Sequence, residues 1–340
     1  MDQLDLDKLL RGAPAPNTEK AYSGDIRYFW AWARVELGMK KEVYPVEPSI
    51  VERFVEKHIV GLDTHVESYL IGSGVKRERG RYHVVTLRRK VDAIIKWHTL
   101  KGFENNFRTP HMKALFLAAK RFETQQGVTQ KQAKAVTVRV LNRMLKTFPE
   151  SGHLRLNDIR DMAVLTFAFY TGGRRSVEVR EAMFDSLYPF PGGFRYRLYR
   201  SKTDQLGKGA EKILRNPHAD YLRRWLMAGG IDGGYLFRGI THGGQVKDTP
   251  MGEHAVSRII KDRVEMIGLN PKHYSGHSLR RGFLTQCGID GISLGESMQC
   301  SGHRNVVTAM KYYEEGAMES NMATRLNTKN RGNYGNRDSP

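Results

Sequence analysis

The sequence predicts a mainly helical chain with a small antiparallel β-sheet, arranged as two domains. Three observations carry that expectation. Apolar residues recur at helical spacing over most of the 340 residues. Short extended runs appear only in the second half, at Arg195–Tyr199, Glu211–Leu214 and Gly234–Phe237. A polar, Gln-rich and basic stretch at 125–136 separates two segments, each long enough to bury its own core.

In chain order, residues 1–16 end in Arg11-Gly12-Ala13-Pro14-Ala15-Pro16 and read as a flexible lead-in. An all-helical domain follows over 17–124. Asn17 or Thr18 caps its first helix, whose face is Tyr22, Ile26, Phe29, Trp30 and Trp32. Glu47-Pro48-Ser49 opens a second helix with Ile50, Val51, Phe54, Val55 and Ile59 inward. A third runs from about His83 to Leu100 on Val84, Leu87, Val91, Ile94, Ile95 and Trp97, and a fourth from Pro110 to Thr124. The second domain spans 137–326 and is mixed: mostly helices, with the short strands at one edge. Its helices are expected around Leu141–Leu145, Asp158–Tyr170, Leu222–Leu226, Gly252–Ile267, His277–Gly288 and from Ser293, then a short one ending at Tyr313. Glu314-Glu315-Gly316 follows, then a last possible helix with Met318, Met322, Ala323 and Leu326, and 327–340 reads as a disordered polar tail.

The charge balance narrows the function classes. Lys and Arg number 55 against 36 Asp and Glu, a formal net charge of +19. Such an excess favours a polyanionic partner, because each neutralised phosphate releases counterions. Cys287 and Cys300 are too few for a disulfide framework or a zinc cage. No apolar run has the length of a membrane span, and Met1-Asp2-Gln3-Leu4-Asp5 lacks the order of a signal peptide, so the cytosol is the expected compartment. In the first domain Arg77, Arg79 and Arg81, then Arg88, Arg89 and Lys90, form a basic stretch that a DNA backbone could lie along, although a solvated face accounts for such charges equally well.

The chemistry gathers around Cys300-Ser301-Gly302-His303-Arg304-Asn305-Val306-Val307-Thr308-Ala309-Met310-Lys311-Tyr312-Tyr313, a Gly-His turn followed by a helix that delivers a tyrosine hydroxyl. Upstream, His277 and Arg280 sit three apart on one helix face. Gly172-Gly173-Arg174-Arg175-Ser176-Val177-Glu178 and Arg200-Ser201-Lys202-Thr203-Asp204 add arginines and a lysine. A tyrosine ringed by cations, with no acidic cluster for a metal, suits a nucleophile attacking a phosphate. Tyr313 lies about 100° away on a helix and cannot share the role.

An arginine in a Gly-rich turn, a hairpin lysine, His-x-x-Arg, Gly-His and a tyrosine nine residues later together resemble the tyrosine recombinase (phage integrase) family, in a register similar to its Cre-like branch. The resemblance implies a helical core-binding domain over 17–124 and a catalytic domain over 137–326. Tyr312 would then form a 3′-phosphotyrosine, Arg175 and Arg280 clamp the non-bridging oxygens, Lys202 protonate the leaving 5′-oxygen (Lys208 is on the same loop), His277 help manage the tyrosine proton or bond the phosphate, and His303 bond a non-bridging oxygen. Counting from Thr171 favours Arg174 as the first arginine. Counting back from Glu178, which would orient the guanidinium, favours Arg175, the register adopted here. The implied partners are double-stranded DNA with specific recombination sites and three further copies of the chain, a homo-tetramer working through a Holliday junction. Energy is conserved in the phosphotyrosine, so no cofactor is needed. A type IB-like topoisomerase and a catalytically silent DNA-binding regulator of the same fold are the alternatives.

Overall fold

The computed structural model describes residues 16–104, 106–127, 132–198 and 210–320. The chain divides into two compact units, Met1–Gln130 and Lys131–Pro340.

Unit 1 is helical throughout its described residues, with α1 Pro16–Leu37, α2 Pro48–Val60, α3 Thr64–Gly72, α4 Val84–Lys101 and α5 Pro110–Gln125. The apolar faces expected of α1, α2 and α4 do meet. Tyr28, Phe29, Trp32, Phe54, Leu70 and Leu87 are fully buried together. Pro48 and Pro110 start their helices, where a missing N–H costs nothing. Thr109 Oγ1 caps α5 by accepting from the Met112 amide at 3.0 Å. Helix α3 was not expected from the sequence. It is short and buries only Val66 and Leu70, too few apolar positions to establish a period.

Unit 2 begins with α6 Val138–Leu145, α7 Leu156–Tyr170 and α8 Ser176–Arg180. Strands β1 Leu187–Phe190, β2 Gly193–Leu198 and β3 Ala210–Arg215 form an antiparallel sheet in sequential order. After α9 His218–Gly229 come a two-stranded ribbon, β4 Arg238–Ile240 with β5 Val246–Pro250, and α10 Ala255–Met266. Helices α11 His277–Ile289, α12 Leu294–Ser301 and α13 Val306–Ser320 complete the described chain. The core is built around α7, whose buried Phe167 and Phe169 lie in one cluster with Trp225 of α9 and Phe237. The second ribbon starts at Arg238, just past the extended run expected at Gly234–Phe237, where Tyr235 makes only an isolated bridge to Met183.

Helix α13 runs unbroken through Glu314-Glu315-Gly316 to Ser320, taking in the start of the last helix expected there. Packing is the reason. A Cβ at Gly316 would stand 1.8 Å from the Thr285 carbonyl oxygen, and one at Gly288 2.1 Å from that of Tyr313. These two glycines let α13 lie directly on α11 at a distance no side chain permits. The residues expected to form the tail, 327–340, are outside the described residues.

Candidate active site

Helix α7 ends at Tyr170 and the chain turns through Gly172 and Gly173, at φ 100° and 67°. Both glycines are demanded by space as well as by φ. Their Cβ atoms would come within 2.3 Å of the Cys300 carbonyl oxygen and 2.6 Å of the Arg280 Cα. The turn is thus pressed against the end of α12 and the start of α11. Arg174, 2% exposed, points into this seam. Its Nη2 donates to the carbonyls of Gly172, Cys300 and Ser301 at 3.1, 2.9 and 2.9 Å. Arg175 points the other way and stays partly exposed. Its Nε and Nη2 donate to Glu178 Oε1 at 3.0 and 2.6 Å, and its own amide donates to Glu178 Oε2 at 2.9 Å. Burial raises the Glu178 carboxyl, but Arg174 and Arg175 together outweigh burial and hold it below the usual carboxylate range.

From α11, Arg280 Nη1 donates to the Ser301 carbonyl at 2.6 Å and to that of Gly173 at 3.3 Å. Burial, opposed by Glu178 and reinforced by Arg174 and Arg175, brings the Arg280 guanidinium down to about 10. His303 follows the α12 cap, Gly302, which is left-handed at φ 70°. The His303 Nδ1 shares a 2.7 Å hydrogen bond with Ser301 Oγ. Burial, then Arg280, His277, Arg174 and Arg175, lower its imidazole to about 4. His277, at the start of α11, is lowered by desolvation and by Arg280, Arg281 and Arg175. Both rings are therefore neutral near pH 7 in a field of fixed positive charge, an environment made for an anion.

Tyr312 borders the same region. Its ring stands edge-on to His277, with centroids 6.0 Å apart at 69°, and the Arg281 guanidinium lies 5.1 Å above its centroid. Thr285 Oγ1 donates to the Tyr312 carbonyl at 3.1 Å. The Arg281 guanidinium also grips both Glu315 oxygens through Nη2 at 2.6 and 2.5 Å. It ties α11 to α13 one turn beyond the tyrosine.

The sequence pattern described as the Phage integrase family matches residues 134–319, more than half of the chain. The chain belongs to the phage integrase family. It is a tyrosine recombinase by sequence and by fold. An integrase/recombinase XerD homolog from Selenomonas ruminantium is 28% identical over 251 residues, 72% of each chain. The Cre recombinase of Escherichia phage P1 is 26% identical over 185 residues, 51% of this chain and 54% of Cre. Among solved structures, the post-cleavage complex of the XerH site-specific recombinase with palindromic difH substrate superposes with a TM-score of 0.56 at 12% identity, covering 86% of this chain and 75% of XerH. The Tn1549 transposon integrase in complex with circular intermediate DNA gives 0.54 at 14%, covering 94% and 96%.

Within this tyrosine recombinase the residues singled out in the sequence fall into two linked groups. Arg174 and Arg280 meet at the Ser301 carbonyl, with His303 on the Ser301 hydroxyl and the Arg175–Glu178 pair just after the Gly-Gly turn; His277, Arg281 and Tyr312 form the second group, with His277 electrostatically coupled to both. Lys202 and Lys208 lie outside the described residues. Lys212 of β3 was missed. It is 5% exposed and its Nζ donates to the Gln299 carbonyl at 3.0 Å. Strand alternation could have found it, since Lys212 shares the inward face with Leu214.

In unit 1, Arg77, Arg79, Arg81, Arg88 and Arg89 are exposed, and a hollow of about 570 Å³ is lined by Lys20, Arg77, Arg79, Arg81 and Arg89 among others. Lys90 does not belong to that exposed surface. It is 5% exposed, pairs with Asp25 Oδ1 at 3.1 Å and lies 3.8 Å over the Tyr28 ring. Its place on the inner side of α4, opposite Asp25 of α1, decides this; its position in a run of cations said otherwise. Among the described residues no helix is long and apolar enough to cross a membrane.

Proposed function

We propose that this chain is a site-specific DNA recombinase whose nucleophile is Tyr312. The phenolic oxygen attacks a backbone phosphorus, the bond to the 5′-oxygen breaks, and a 3′-phosphotyrosine forms. A 5′-hydroxyl of a partner strand then reverses the step with new connectivity, so no outside energy source enters. His277, edge-on to Tyr312 and neutral near pH 7, takes up the phenolic proton. Arg280 and Arg175 neutralise the non-bridging oxygens, Glu178 orients Arg175, and His303 donates to one of those oxygens. Lys202 supplies the proton to the leaving 5′-oxygen.

Arg175 is preferred over Arg174 because its guanidinium remains partly open beside Glu178, whereas Arg174 is 2% exposed and its Nη2 is held by three backbone carbonyls. The partner is double-stranded DNA carrying recombination sites. Unit 1 acts as the core-binding domain and lays Arg77, Arg79, Arg81, Arg88 and Arg89 along the phosphates, so the protein works wherever the cell's DNA lies, in the cytoplasm or on the nucleoid. Four protomers on two sites exchange strands through a Holliday junction.

The observation that carries the reading is the contact between His277 and Tyr312 at the rim of the cationic pocket. The test is a nicked suicide substrate cut from DNA flanking the gene. Wild-type protein forms a covalent adduct, and Tyr312→Phe binds the same DNA without one. Adduct at wild-type level in Tyr312→Phe sinks the assignment. Binding with no adduct in the wild type favours a silent regulator.

A further inference from the structure

Three cations from three separate elements converge on the last turn of α12. Lys212 of β3 holds the Gln299 carbonyl at 3.0 Å. Arg174 of the Gly-Gly turn holds those of Cys300 and Ser301, both at 2.9 Å. Arg280 of α11 holds that of Ser301 at 2.6 Å. Three consecutive carbonyls are thereby occupied. The last carbonyls of any helix lack intrahelical partners and carry the negative end of its dipole, so cations there are favoured. Using three buried ones is unusual, because desolvating each is costly. Burial, then Arg174, lowers the Lys212 ammonium, which shows how closely the like charges are crowded. Stability alone gives no reason for this crowding, since one Gly302 cap already ends the helix.

We propose that Lys212 is a positioning residue for strand cleavage: it pins the last turn of α12 so that Ser301 and the turn after it hold Arg280 and His303 in register for the phosphate, without itself touching DNA. The chain of contacts is short. Gln299 is two residues from Ser301, whose carbonyl receives Arg280 and whose Oγ meets His303 Nδ1 at 2.7 Å. Releasing Gln299 lets that turn drift, and a misplacement of about 1 Å at a reacting centre costs on the order of 100-fold in rate. A lysine so buried has no means of adding to DNA affinity.

This inference rests on the recombinase reading, and the wild-type arm separates the two: no adduct from wild-type protein defeats the reading itself. The experiment uses the full chain, the nicked substrate at saturation and two readouts, the single-turnover rate of adduct formation and the salt dependence of binding. Lys212→Met is expected to slow adduct formation at least about 10-fold with binding and its salt slope unchanged. Lys212→Arg, which keeps a buried donor, should recover much of the rate. A wild-type rate in Lys212→Met, or loss of binding in step with loss of rate, overturns the proposal. Lys212→Gln is the second variant, and failure of both neutral variants to fold would assign Lys212 to the core and overturn it as well.

Discussion

Arg174 and Arg175 are neighbours in the chain with opposite fates: one guanidinium is sealed beneath the Gly-Gly turn against α12, the other opens outward and grips Glu178. The N-terminus of α8 produces the divergence, because Glu178 of its first turn binds back to the Arg175 amide and fixes where that side chain starts. Two chemically identical residues thus have different expected phenotypes.

Arg175→Ala should lower adduct formation on a nicked substrate by at least about 100-fold, the scale for losing one charge-stabilising donor, at a cost in stability of about 1–3 kcal/mol because the buried Glu178 Oε1 loses its donors. Arg174→Ala should instead destabilise by about 2–4 kcal/mol, because it takes the donor from the Gly172 and Cys300 carbonyls and removes one of the two cations beside the buried Glu178 carboxylate. Calorimetry and single-turnover kinetics on both variants separate the roles. The reverse pattern moves the catalytic arginine by one position.

Acid should weaken unit 2 through His303. The pocket holds its imidazole at about 4, below the ordinary His value of about 6.5. Between those values the unfolded chain binds more protons than the folded one, so stability rises with pH across that window and is lost as pH falls from about 6.5 toward 4. The partly exposed ring contributes on the order of 2–3 kcal/mol at most. Urea midpoints of the wild type and His303→Asn, followed from pH 7 to pH 4.5, should converge as the pH falls. Parallel curves would show that His303 takes no part.

Gly316→Ala sets two effects against each other. Alanine improves a helix interior by about 1 kcal/mol. Here its Cβ would meet the Thr285 carbonyl oxygen at 1.8 Å, and such overpacking costs about 1–3 kcal/mol or more. The clash wins. The variant should keep DNA binding, lose most adduct formation as α13 lifts Tyr312 from His277, and show faster proteolysis within α13. Unchanged cleavage would mean that α13 does not have to seat on α11 for the reaction.

In unit 1 the cations divide by burial. Arg77→Ala and Arg79→Ala should each reduce the salt slope of DNA binding by about 1 without lowering the melting temperature. Asp25→Ala should destabilise by about 3–5 kcal/mol, because it strands Lys90 inside the unit without its carboxylate. A Lys90 variant that altered the salt slope yet melted normally would return that residue to the surface.

The amino-acid sequence by itself determined the helical class, the inward faces of α1, α2 and α4, the basic character, and the order Arg, His-x-x-Arg, Gly-His, Tyr. Those features reside in local periodicity and short spacings, and the phage integrase match, over residues 134–319, spans all four of those motifs. Tertiary structure alone decided which cations face solvent. Lys90 and Arg89 are adjacent, yet only the packing of α1 against α4 sets Asp25 beside Lys90 and turns that lysine inward. It also decided that Gly316 joins two helices, since a glycine's intrinsic cost in a helix is small beside a contact that excludes any Cβ. The convergence of Lys212, Arg174 and Arg280 on α12 was illegible for the same reason. Residues far apart in sequence met there on backbone carbonyls, which every residue carries and no motif records.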